Sequence, residues 1–298
     1  MKKQILSILI VLSVTCSLPS CLRLDSNLFN NIKLDNYLLD ASTSPQEITV
    51  DTSYNIPSGF IQQVALTSDD NGNKATIYGI YVGDVSRISS DTVIMYFHGT
   101  KGNMDYYWNR EKILANAGGK NRFGVFMIDY RGYGMSEGKP TESGLHADAN
   151  AAIEWLKNNG LAGDRLIVYG FSLGTAAATY YTANPTTLVP AKLILEAPFG
   201  SAAVMTNDAT VLALPSSYFT SVKVDNAEEI KKVQQPFMWI HGINDDFLSI
   251  KTHGELVYKN YKGVYSEAHR VPAATHVNVP AVWGLDNYKA ALEAFITR

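Results

Sequence analysis

Five runs of this chain are apolar almost without interruption: "TVIMYFHG" from Thr92, "FGVFMIDYRG" from Phe123, "RLIVYGFS" from Arg165, "AKLILEAPF" from Ala191 and "PFMWIHGIND" from Pro236. A strand with one wet face alternates polar and apolar residues. Strands that do not alternate must be covered on both faces, which is the condition of a parallel sheet lying between helices. The intervening segments supply those helices. "TESGLHADANAAIEWLKNNG" sets Leu145, Ala149, Ala152, Ile153 and Leu156 on one face, with Thr141 as a cap and Gly160 as a stop. "PAVWGLDNYKAALEAFITR" reads as a C-terminal helix. Ahead of the runs, "FIQQVALTS" and "KATIYGIYV" flank the turn signal "DDNGN" and read as an antiparallel hairpin. The predicted class is α/β: a mostly parallel central sheet, an N-terminal antiparallel hairpin and helices on both faces. With 298 residues, 46% of them hydrophobic and 18% charged, the chain has the material for such a core. A net charge of −3, with no basic run interleaved with aromatics, argues against a nucleic-acid partner.

The third apolar run leads into the chemistry. "GFSLG", Gly170 to Gly174, has the spacing Gly-x-Ser-x-Gly, with the strand "LIVYG" before it and the alanine-rich "LGTAAATYYTA" after it. A serine in such a strand-to-helix turn is held out from the backbone, and the glycines avoid clashes. The pattern occurs by chance, and by itself it marks a turn; its position between a buried strand and a helix makes Ser172 a candidate nucleophile. A helix N-terminus behind it favours developing negative charge.

Serine needs a base, and the base needs an orienting acid. Both are expected downstream, past the ends of later strands. "WIHGINDDFLSI" offers Asp245 as the acid, with Asp246 and the strand-end Glu196 as rivals. "RVPAATHVNVPAVW" offers His276 as the base. His269 reads as a strand residue, His98 and His241 as strand-end residues that shape loops, and His146 and His253 as ordinary helix residues. An oxyanion hole takes two backbone amides: that of Leu173, after the nucleophile, and one from "FHGTKGNM", where Thr100 is the candidate.

With these residues in place the chain resembles the α/β-hydrolase superfamily, and is most similar to the Bem46-like and ABHD13/ABHD17-like serine hydrolases. "HGTKGNM", "DYRGYGMSEGKPTESGL", "GFSLG", "EAPF", "HGINDDF" and "ATH" carry the likeness, in order, over residues 93–278. The resemblance implies the α/β-hydrolase fold, Ser172 as nucleophile, Asp245 as acid, His276 as base, and hydrolysis with no metal and no cofactor. "HGTKGN" departs from the family where Asn commonly follows His-Gly, and "THVN" where Gly often precedes the histidine. The glycines of "RGYGMSEG" miss the dinucleotide spacing, because Glu137 stands where glycine is required. "DDNGN" lacks the closing glutamate of a calcium loop and reads as a turn.

The N-terminus, "MKKQILSILIVLSVTCSLPSC", has two lysines, an apolar stretch and small residues ending at Cys21. That is the layout of a secretory signal. "LPSC" resembles the bacterial lipoprotein cleavage box, which implies lipidation of Cys21, export and a membrane-anchored mature chain. A plain cleaved signal and an uncleaved anchor are the other readings. Cys16 and Cys21 are the only cysteines, so the mature domain would have no disulfide and no cysteine nucleophile. The expected organisation is a signal over residues 1–20, a tether over 21–50 that becomes ordered against the domain, and a hydrolase domain over 51–298, with a short lid insert at about 200–235 holding Met205, Leu212, Leu214, Tyr218 and Phe219. That apolar insert either covers an acyl substrate or only packs on the sheet. The expected reaction is acyl transfer from a small-molecule ester or thioester, or a lipid-like ester, to Ser172 and then to water. Amidase or peptidase chemistry and a non-catalytic surface binding protein are the alternatives. The sequence gives no oligomeric state.

Overall fold

A computed structural model describes residues 28–209 and 222–298. Eight strands form one sheet: β2 (Ile61–Asp70), β3 (Asn73–Val82), β4 (Val93–Phe97), β6 (Gly124–Asp129), β7 (Leu166–Phe171), β8 (Lys192–Glu196), β9 (Phe237–Gly242) and β10 (Ser266–Val271). Their order is β10-β9-β8-β7-β4-β6-β3-β2. The six from β10 to β6 are mutually parallel; β3 is antiparallel to β6 and to β2. Two short strands, β1 (Asn30–Asn31) and β5 (Lys101–Gly102), pair in parallel beside it.

The β2–β3 hairpin turns through Asn71 and Gly72, at φ 52° and 91°. Both central residues are left-handed, the geometry that fits the twist of paired strands and that an Asn-Gly pair favours. Asp69 Oδ1 accepts from the Gly72 amide at 2.6 Å, so this acidic cluster closes its own turn.

The unbroken apolar runs have a simple cause. In β4, Val93, Met95 and Phe97 belong to the core on one face of the sheet, while Ile94 and Tyr96 belong to the core on the other. Helices α2 (Glu142–Asn158) and α3 (Gly174–Ala183) cover the first face through Leu145, Ala149, Ile153, Leu156 and Ala176–Ala178. Helices α1 (Met104–Ala115) and α8 (Leu285–Thr297) cover the second through Trp108, Ile113, Tyr288, Leu292 and Phe295. Thr141 caps α2, its hydroxyl accepting from the Gly144 amide, and Gly160 ends it at φ 94°. The C-terminal segment is not one helix: it breaks at Gly284, φ 86°, into α7 (Val279–Trp283) and α8. Apolar spacing continues through the break, so only the backbone conformation of Gly284 marks it.

After β8 the chain forms α4 (Ala202–Ala209) and returns beside Ser201 through Val224 and Asp225. Met205 lies half-buried against the core; Leu212, Leu214, Tyr218 and Phe219 lie outside the described residues, as does Cys21. Among the described residues no helix is long and apolar enough to cross a membrane. Residues 28–50 run across the domain as an arm. Ile32 donates to the Gly102 carbonyl, Leu34 to that of Gly134, Tyr37 to Asp129, and Asp40 and Glu47 meet Lys112 and Arg110.

Candidate active site

Because β4, β7, β9 and β10 are parallel, the loops after them share one edge of the sheet. Thr100, Ser172, Asp245 and His276 stand on those loops. Ser172 follows β7 directly at φ 50°, in the left-handed region that costs an L residue about 1 kcal/mol or more. Its neighbours make the turn possible. A Cβ at Gly170 would lie 2.6 Å from the Gly174 carbonyl and 2.7 Å from Ala178 Cβ, and a Cβ at Gly174 would run into the Phe97 carbonyl. The turn is fixed by Ser172 N donating to the Glu196 carbonyl at 3.0 Å and by the Thr175 amide and hydroxyl donating to the Ser172 carbonyl.

Ser172 Oγ lies 2.9 Å from His276 Nε2, and His276 Nδ1 lies 2.8 Å from Asp245 Oδ2. All three side chains are largely buried. Asp245 Oδ1 accepts from the Phe247 and Leu248 amides at 3.0 and 2.7 Å. Burial alone would raise the Asp245 carboxyl, but hydrogen bonds from His241, His276 and the Leu248 amide outweigh it and hold it well below the usual carboxylate range. A charged Asp245 orients the Nδ1–H of His276, which leaves Nε2 free to take a proton from Ser172.

His241 does more than shape a loop. It is fully buried at the end of β9, and its Nε2 lies 3.0 Å from Asp245 Oδ2 and 3.0 Å from the Leu248 carbonyl. Trp239 Nε1 donates to His241 Nδ1 at 3.3 Å. An indole N–H can only donate, so Nδ1 is an acceptor and the neutral ring carries its proton on Nε2, toward Asp245. Asp245 thus takes two imidazole N–H groups. The sequence holds a faint signal of this in the i, i+2 spacing of Trp239 and His241, which puts both on one strand face. His98 is likewise buried and lies 3.1 Å from Asp129 Oδ1. His253 is not inside a helix: it stands at the N-terminal end of α6 (Gly254–Asn260), buried, where Nδ1 accepts from the Gly200 amide at 2.9 Å.

The rivals fall elsewhere. Asp246 is exposed. Glu196 accepts from Arg110 at 2.9 Å and from the Tyr288 and Tyr169 hydroxyls, away from the imidazole. His269 lies along β10 with Nε2 3.3 Å from Glu267. Among the described residues, neither the Thr100 nor the Leu173 amide donates to another group, which leaves both open to a ligand oxygen. The Thr100 loop is held by its own carbonyl, which accepts from Tyr133 Oη at 3.0 Å, and by its hydroxyl. The exposed apolar side chains Ile243, Phe247 and Val277 rim this edge, and the Phe247 ring stands 5.1 Å from that of His276. Among the described residues no three His, Cys, Asp or Glu side chains converge to hold a metal ion.

A model of the alpha/beta hydrolase fold family matches residues 92–220. Protein bem46 of Schizosaccharomyces pombe is 30% identical over 192 residues, 63% of this chain and 62% of that protein. The lysophosphatidylserine lipase ABHD12 of Danio rerio is 37% identical over 115 residues, 37% of this chain and 29% of that protein. The chain therefore spans less than two thirds of the length of either relative. An esterase of Pyrococcus furiosus has a similar structure, with a TM-score of 0.67 at 17% identity, covering 91% of this chain and 98% of that one.

Proposed function

From the premise that this chain has the alpha/beta hydrolase fold, we propose that it is a serine hydrolase cleaving carboxylic esters or thioesters of acyl substrates. The observation that carries the reading is the Ser172 Oγ to His276 Nε2 distance of 2.9 Å, with Asp245 at 2.8 Å on the other ring nitrogen. Ser172 Oγ attacks the acyl carbonyl as its proton passes to His276 Nε2, and the oxyanion is received by the Leu173 and Thr100 amides. The C–O or C–S bond to the leaving group breaks, and the alcohol or thiol departs with the proton from His276. Water then gives a proton to His276, adds to the acyl-enzyme and frees Ser172 and the acid. The apolar rim of Ile243, Phe247 and Val277 supports an acyl chain on the substrate. The name of the fish relative agrees with a lipid-like ester. Lipidation of Cys21 and export belong to the proposal on the strength of the signal layout of residues 1–20 and the box Leu18–Cys21.

The test is fluorophosphonate labelling of the purified protein beside Ser172→Ala and His276→Ala. Wild type is expected to label and to hydrolyse p-nitrophenyl esters, and both substitutions to abolish labelling. A folded wild type that does not label would sink the assignment.

A further inference from the structure

Beneath the serine and the histidine lies a buried charged cluster that the reaction above does not use. Arg110, on α1, has a side chain 3% exposed, and Glu47, on the N-terminal arm, one 1% exposed. Arg110 Nε and Nη2 reach the two carboxylate oxygens of Glu47, and Nη1 donates to Glu196 Oε2 at 2.9 Å. Burial works against the Arg110 charge, but Glu196 and Glu47 outweigh it and hold the guanidinium protonated. Burial raises the Glu47 carboxyl, and Arg110 offsets this only in part.

Two further contacts of this guanidinium lead to the site. Nη2 also donates to the Val277 carbonyl at 3.4 Å, and Val277 follows His276. The guanidinium lies over the Phe171 ring at 4.0 Å; Phe171 precedes Ser172, and its ring stands 5.4 Å from that of His276. The Glu196 backbone carbonyl receives the Ser172 amide. Glu196 Oε2 also accepts from Tyr169 and Tyr288, while Oε1 has no partner among the described residues. What Glu47 adds is the second side of the fork. Engaged on both sides, a planar guanidinium cannot swing away from Val277 and Phe171. The same arm also reaches the oxyanion loop: the Asn30 amide donates to Thr100 Oγ1 at 3.1 Å, the Thr100 hydroxyl donates to the Leu28 carbonyl, and β1 pairs with β5 just beyond.

We propose that Glu47 and Arg110 are positioning residues of the hydrolytic site, which hold the His276 loop and the nucleophile turn in register, so that the Glu47 end of the N-terminal arm supports the catalytic unit. This rests on the serine-hydrolase reading above. A loop displaced by about 1 Å can cost on the order of a hundredfold in rate. For Glu47→Ala and Arg110→Lys, kcat for a p-nitrophenyl ester, counted per serine titrated with a fluorophosphonate, is expected to fall about tenfold or more with KM within about twofold. Glu47→Gln, which keeps the shape and one acceptor, is expected to fall about threefold, and it decides the matter if the stronger variants do not fold. Asp40→Ala is the control. It removes the arm's ion pair with Lys112 Nζ, 2.6 Å, and should lower the unfolding temperature while leaving kcat per serine unchanged. Wild-type kcat per serine in the folded Glu47 and Arg110 variants, with only stability lost, would overturn the proposal alone. A wild type that neither labels nor turns over would overturn the hydrolase reading and this proposal with it.

Discussion

At the scale of single residues the site is a problem of orientation. Ser172 is held in a conformation its side chain disfavours, and Asp245 is held by four donors: two backbone amides and two imidazoles. The second imidazole is the less obvious one. His241→Phe keeps the ring volume but removes the Nε2–H from Asp245, one charge-assisted hydrogen bond worth about 1.5–3 kcal/mol. The carboxylate is then free to turn, and kcat should fall roughly tenfold with KM little changed. Steady-state kinetics beside a thermal melt checks this. An unaltered kcat would mean that the Phe247 and Leu248 amides suffice to aim Asp245. Ser172, Asp245 and His276 are legible in sequence because each sits in a local pattern at a strand end. Arg110 is not: nothing within the chain near it separates it from a solvated helix arginine, and its burial comes from Glu47, Glu196 and Val277, each far away in sequence.

At the scale of elements, α2 and α3 meet through a stack of His146 on Tyr180, with ring centroids 3.5 Å apart and planes 5° from parallel. Burial pushes the His146 imidazole down to about 4. The unfolded chain takes up a proton near the ordinary histidine value of about 6.5, and the folded one does not. The stacked ring therefore contributes full stability above about pH 6.5, and that contribution is lost as pH falls toward 4. Urea unfolding at about pH 7.5 and about pH 5 should show wild type losing about 1–2 kcal/mol more than His146→Phe, which keeps the stack without titrating. Equal losses would mean that the ring charges in place. The strands and α2 are readable from their patterns because their partners cover them along the whole length. The division of the last helix is not, since one left-handed glycine interrupts a pattern that continues on both sides.

At the scale of the molecule, the arm of residues 28–50 is held by backbone pairing, by side-chain hydrogen bonds and ion pairs, and by apolar residues such as Ile48 packed into the core. Tyr37 donates to Asp129 Oδ2 at 2.8 Å and accepts from the Met135 amide at 3.1 Å. Tyr37→Phe strips one donor from a buried carboxylate, which should destabilise the protein by about 1–3 kcal/mol in urea unfolding. A change of a few tenths would mean that the arm docks independently of Asp129. The Asn-, Asp- and Ser-rich sequence of this segment, with its scattered leucines, reads as a tether that orders against the domain, but its polar partners Asp129, Lys112 and Arg110 are distant in the chain and no local pattern names them. The sequence by itself determined the sheet, its helical cover and the order of serine, acid and histidine, since these depend on periodicity and on turns only a few residues long. Only the tertiary structure decided that a second histidine, His241, faces Asp245, and that the arm reaches the site through Arg110. Those outcomes depend on where side chains from separate loops converge, and no local pattern encodes that distance.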